Sequence, residues 1–255
     1  MRHSVRAVLA LVSMTLTLGA AARAAEQPPD LSGVWGAYVE PGKPSIRQLR
    51  AQMTLPFTPD AQRKVDEYRA LTAPTGDNPG AFCLGYGMPE SMVFSGGYPM
   101  EIIQRPEQIT VIYEAHSETR RLYFPGKIIA PEDRIPDRDG YSTARWDGDT
   151  LVVETTALKE QVDQLYPHSE AARIEERYHL EKDPNGKLVK DSHGNQVLVN
   201  DWTLTDPAFY TKVITGQKKW SFEPKGILLP YECNEEAWLD HLQALKEGKA
   251  KPAKY

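Results

Sequence analysis

Tyr141-Ser-Thr-Ala-Arg-Trp-Asp-Gly-Asp-Thr-Leu-Val-Val-Glu-Thr-Thr156 is the stretch whose reading decides the fold. Two short runs, 141–146 and 150–156, flank Asp147-Gly148-Asp149. Asp-Gly tolerates the positive φ of a tight turn, so the stretch reads as a β-hairpin. Working outward, the same period appears on both sides. Residues 101–104, 108–115 and 119–124 read as strands, with turns at Arg105-Pro-Glu107 and His116-Ser-Glu118. Downstream, 173–181 and 187–190 flank the tight turn Asp183-Pro-Asn-Gly186, and 196–205 and 218–223 complete the set. Strands joined by short polar turns, with no helices between them, imply an antiparallel meander. A sheet of that size curls, and closing it removes its edges. The expectation is a mainly β chain, an antiparallel meander curled into a barrel of about eight strands, with one N-terminal and one C-terminal helix.

The N-terminal helix signal lies at 58–72. Thr58 can cap, Pro59 suits the first helical position and Asp60 complements the dipole. Ala61, Val65, Tyr68 and Leu71 or Thr72 follow at helical spacing, and Pro74 stops the run. Before it, 26–56 is Pro-rich and reads as an extended entry segment whose Trp35 plugs one end of the barrel. After it, 73–97 is a Gly/Pro-rich loop. At the far end Trp238, Leu242 and Leu245 share a helical stripe, so 235–249 reads as an amphipathic helix docked outside the sheet.

The first 24 residues read as a secretory signal peptide. Arg2 and Arg6 form a basic head, 7–20 is an almost uncharged apolar run, and Ala22-Arg-Ala24 supplies the small residues of a cleavage site. The expected product is secreted, periplasmic and not inserted in a membrane, because nothing later offers about 20 consecutive apolar residues. Domain boundaries follow: leader 1–24; entry segment, helix and loop 25–99; barrel 100–233; helix and tail 234–255, with 25–255 a single domain. The leader carries three arginines and no acid, so its removal takes the 30 basic residues to 27 against 35 acidic, a net charge of −8. That balance argues against nucleic acid and against anionic lipid as partners. Cys83 and Cys233, in an oxidising compartment, imply one disulfide; the alternative is a pair of buried thiols or a nucleophile. The loop it closes, about 150 residues, is worth roughly 5 kcal/mol in the chain-entropy model.

Several segments, in order, carry a resemblance. They are Asp30-Leu-Ser-Gly-Val-Trp35, Pro99-Met-Glu-Ile-Ile-Gln104, Trp146-Asp-Gly-Asp-Thr-Leu-Val-Val-Glu-Thr155, Pro167-His-Ser169, Glu176-Arg177, Asp206-Pro207 and Tyr231-Glu-Cys233. The pattern resembles a large group of secreted bacterial proteins, covers nearly all of the chain after the leader, and implies a lipocalin-like β-barrel and export. It implies no particular activity. Where such proteins carry Gly-x-Ser-x-Gly, this chain has Gly140-Tyr-Ser-Thr-Ala144, which points to a different specificity.

Strand parity supplies the filter for chemistry, since alternate side chains face opposite sides of a strand. In 173–181 Glu176 shares its face with Ile174, Tyr178 and Leu180. A carboxylate on an apolar face is costly without a partner. It either performs acid–base work, binds ligand, or forms a structural salt bridge, with Arg145 or Arg121 as partners. By the same filter Glu114 faces water; in 150–156 either Val152-Glu154-Thr156 or Leu151-Val153-Thr155 can be the inner face, and a solvated Glu154 is the expectation. His168, in Tyr-Pro-His-Ser-Glu, is the second catalytic candidate, since histidine suits proton transfer near neutral pH; the alternative is a histidine that fixes its loop. Tyr98, Tyr113, Tyr123, Tyr141, Trp146, Tyr178 and Trp202, with Arg121 and Arg145, are the candidate lining of a small-molecule cavity. Scattered histidines imply no metal, and no motif implies a cofactor. The functional expectation is an exported cavity protein acting on an apolar or aromatic small molecule, as an acid–base lyase, isomerase or hydrolase. The alternatives are a non-catalytic carrier using the same cavity and an envelope structural factor; the oligomeric state is left open.

Overall fold

The alternating runs do pair around a full circle. In a computed structural model of the chain, nine strands form one closed barrel in the order β1 to β9. The structure describes residues 28–38, 42, 53–74, 76, 78–94 and 97–231, with 243, 244, 246, 247 and 249. The strands are β1 (Gly33–Ala37), β2 (Met100–Gln104), β3 (Gln108–Tyr113), β4 (Glu118–Tyr123), β5 (Tyr141–Asp147), β6 (Thr150–Thr156), β7 (Arg173–Leu180), β8 (Val197–Thr205) and β9 (Ile214–Phe222). Two helices precede β2: α1 (Pro59–Thr72) and the single turn α2 (Glu90–Val93). The mainly β barrel is as expected, with two refinements of topology.

First, one step is parallel. β4 and β5 meet only at Leu122↔Ser142 and Tyr123↔Thr143, in parallel register. Parallel neighbours need a connection that returns along the barrel, and residues 124–140 supply it. This is the shortest ladder in the circle. Second, residues 33–37 are not an irregular entry segment. They form β1, which pairs antiparallel with both β2 and β9 and closes the barrel. The prolines that suggested irregularity lie outside this run. Trp35 is indeed inside, 5.1 Å from Phe222, with its Nε1–H donated to Leu31 O at 2.9 Å.

Other boundaries shift for local reasons. The strand expected at 187–190 is reduced to isolated bridges, Lys182↔Leu188 and Lys190↔Gln196. Asp183 Oδ1 accepts from the N–H of Asn185 and of Lys187, and Asp191 Oδ1 from those of His193 and Asn195, so two turns consume the residues a ladder needs. β9 starts at Ile214, earlier than the expected 218. Gly216 permits this, because a Cβ there would lie 2.5 Å from Trp202 Cζ2 on the facing strand. Helix α1 forms as its signals require: Thr58 accepts from Ala61 N, Pro59 opens the helix, and Ala61 and Val65 are buried. The expected C-terminal helix lies mostly outside the described residues, as do the leader and Cys233.

Candidate functional site

Parity sets the inner wall. Ile174, Glu176 and Tyr178 of β7 are buried, as are Leu198, Asn200, Trp202 and Leu204 of β8. Glu176 is fully enclosed, and the cation that meets it is Arg120, 2 % exposed. Neither Arg121 nor Arg145 is the partner; both are exposed on the outer face. Arg120 stands opposite Val111 in the β3–β4 register, which places it inside and its neighbour Arg121 outside.

The guanidinium is held on three sides. Its Nη1 donates to Glu176 Oε1 at 3.1 Å and its Nη2 to Glu176 Oε2. Nη2 also donates to Thr155 Oγ1 at 2.6 Å, and Nε to Ser142 Oγ at 3.0 Å. Glu176 Oε1 further accepts the Tyr178 hydroxyl at 2.6 Å and Asn200 Nδ2 at 3.3 Å. Four donors thus reach the carboxylate, three at Oε1 and one at Oε2. Burial opposes the Arg120 charge, but the charge and hydrogen bonds of Glu176, with smaller contributions from Tyr113 and Tyr178, together hold the guanidinium above its ordinary value. Burial, then the charge of Glu176, keeps Tyr178 protonated. Withdrawing two ions from water costs several kcal/mol each, repaid only by geometry of this two-pronged kind. Because Ser142 lies on β5, the same guanidinium also spans the short β4–β5 seam.

The barrel end where β2 and β5 begin is shut by the 73–97 loop. Met88, Glu90, Ser91 and Met92 are buried there. Asn200 Nδ2 donates to Met92 Sδ at 2.7 Å, and Glu118 accepts Gly87 N at 2.8 Å and the Ser91 hydroxyl. Leu165 N donates to Glu90 Oε2 at 2.6 Å. His168 belongs to this closure. Its Nε2 lies 3.0 Å from Met88 O and its Nδ1 3.1 Å from Ser169 O. Burial lowers its pKa from the ordinary histidine value. Asp206, which accepts Ser169 N at 2.6 Å and Ser169 Oγ at 2.9 Å, braces the same turn. His168 and Glu176 thus bond to different partners and do not form a pair.

Asp139, at the entrance to β5, is an acid that sequence inspection did not single out. Burial, with the charges of Glu118 and Asp137 added, pushes its pKa up to about 7. Its backbone is set by Asp137, whose Oδ1 accepts the N–H of Asp139 and of Gly140.

The expected cavity lining separates into three groups. Tyr113, Tyr178 and Trp202 fill the interior with Trp35 and Trp220. Tyr123 stacks on Tyr141 at 5.1 Å outside it, with Arg134 over Tyr141, and Tyr98 packs edge-on to Tyr231 at 5.8 Å. Trp146 lines the larger of two recesses that these residues touch, Trp202 bordering a smaller one of about 320 Å³ between β7, β8 and β9. The larger recess lies at the opposite end of the barrel, where β2, β4 and β5 finish, and is an open groove of about 710 Å³. Its walls include Pro106, Phe124, Pro125 and Trp146, with Arg105 and Asp30. Gln104 is spent on the entering chain, accepting Leu31 N at 3.1 Å and donating to Pro29 O at 3.2 Å. Asp30 Oδ1 accepts Ser32 N at 2.9 Å. Among the described residues no group of three or more His, Cys, Asp or Glu is placed to hold a metal, and no helix is long and apolar enough to cross a membrane.

Comparison of the chain with family models, with curated proteins and with solved structures found no match. What fold and site define is a closed, nearly antiparallel β-barrel, cross-tied by a buried Arg–Glu pair and stoppered by its own loop.

Proposed function

We propose that this chain is an exported binding protein that holds a small apolar or aromatic molecule in the recess at the Trp146 end. The observation that carries the reading is the recess itself: about 710 Å³, aromatic and proline-walled, within the size range of small-molecule sites. Two donors face this ligand class. The Arg105 guanidinium and the Trp146 indole N–H have no hydrogen-bond partner among the described residues, so an acceptor on the ligand suits them. Acid–base catalysis has less support, because Glu176 is fully buried and ion-paired with Arg120, and His168 serves the loop. Export rests on the N-terminal leader pattern, and we extend the proposal to a Cys83–Cys233 disulfide on the same ground.

The test is native mass spectrometry of freshly purified protein, followed by titration with 1-naphthol read by tryptophan fluorescence. Trp146→Ala should abolish the quenching while leaving the far-ultraviolet circular dichroism unchanged. Saturable binding that survives Trp146→Ala would place the ligand elsewhere and overturn the reading.

A further inference from the structure

A second chemistry sits on the inner wall of β9. Lys218 faces Asn200 in the β8–β9 register, so the two side chains share a side of the sheet. Asn200 is fully buried and reaches Glu176, so that side is the interior. Trp220, two residues on, is buried and stacks on Tyr178 at 6.2 Å, which confirms the parity. Lys219 takes the opposite face and pairs with Glu181 at 2.6 Å.

Lys218 has no such partner. Among the described residues its amine makes no hydrogen bond or ion pair, and its Nζ lies 5.7 Å from the centre of the Trp220 ring. Of the buried acids nearby, Glu176 is committed to Arg120, and Glu90 on the closing loop accepts Leu165 N. An inward ammonium without a counter-charge is costly, and burial lowers the Lys218 pKa from the ordinary lysine value. The side chain is only half-buried. β1 pairs with β9 only from Trp35↔Phe222 to Ala37↔Trp220. Beyond Ala37, residues 214–219 have no strand partner on that side among the described residues.

We propose that Lys218 is a carbonyl-capturing amine: it takes an apolar or aromatic aldehyde or ketone as an imine, with the Trp220 ring beside the bound group. The balance is simple. The amine lone pair adds to the carbonyl carbon, and the C=O π pair moves to oxygen, which receives a proton from nitrogen. The carbinolamine then loses water as C=N forms. Hydrolysis reverses the sequence, so no oxidant or reductant is required. An unprotonated lysine amine is the group such chemistry needs.

The experiment uses the intact folded protein with benzaldehyde at low concentration and sodium cyanoborohydride, which reduces imines as they form. Peptide mass spectrometry then compares the lysines. Lys218 should acquire the benzyl adduct at least about tenfold faster than Lys219, paired outside, and Lys212, exposed in the preceding turn. Denaturing the protein first should erase the preference. In Lys218→Arg the adduct at 218 disappears while Lys212 and Lys219 label as before. Equal labelling of all three lysines in the folded protein, or labelling only at exposed ones, overturns the proposal.

Discussion

Arg120 on β4 and Glu176 on β7, 56 residues apart in sequence, meet inside the barrel through two N–H···O bonds, with Nη1 3.1 Å from Oε1. Two strands, β5 and β6, lie between them, so the pair ties separate walls as well as the β4–β5 seam. It is a cross-brace.

Removing one charge of such a pair leaves the other buried and uncompensated. Glu176→Gln should therefore lower unfolding stability by about 3–5 kcal/mol in urea titration. Arg120→Met combined with Glu176→Leu should cost clearly less than the sum of the two single changes. Additive losses would show that the two side chains do not depend on each other.

His168 is expected to act on the closing loop and not on chemistry. His168→Ala should cost about 1–3 kcal/mol by removing buried contacts to the Met88 and Ser169 carbonyls, with Gln164 Nε2 left as the donor to Met88 O. Quenching of Trp146 by 1-naphthol should be unchanged. Burial keeps native His168 neutral to lower pH than usual, while the unfolded chain takes up the proton near pH 6.5. The unfolded state then binds more protons, so stability falls as pH drops below about 6.5. The variant should show a shallower fall.

Asp139 predicts the opposite slope. Its native pKa, about 7, lies above the ordinary carboxylate value, so between about pH 4 and pH 7 the native state binds more protons than the unfolded one. Stability contributed by this position declines as pH rises through that window. Asp139→Asn should be more stable than the parent at pH 8 by about 1–2 kcal/mol, discounted for its partial exposure, and indistinguishable from it at pH 3.5. A larger advantage at acid pH than at alkaline pH would refute the assignment.

The site was only partly legible in the chain. Parity placed Glu176 inside because Ile174 and Tyr178 flank it at a spacing of two. The same filter identifies Arg120, which shares its side with the buried Leu122 and Phe124, and Lys218, which shares its side with Trp220 and Phe222. In the Arg120-Arg121 doublet only the face distinguishes brace from surface residue. Asp139 carried no such mark, since its neighbours Glu118 and Asp137 come from a separate strand and from the crossover turn. Trp146 joins its recess through residues of β2, the 105–106 turn and the 124–125 corner, which no local spacing connects.

Local pattern determined the mainly β class, the hairpin at 147–149, the capped helix at 59–72 and the inward acid. Each depends on alternation, turn chemistry or capping within a few residues. Tertiary structure alone decided that β1 closes the circle, that one step is parallel, which cation Glu176 meets, and that a loop fills one end of the barrel. The reason is range: facing and turning are properties of neighbouring residues, whereas pairing across the barrel is selected by burying all the walls together.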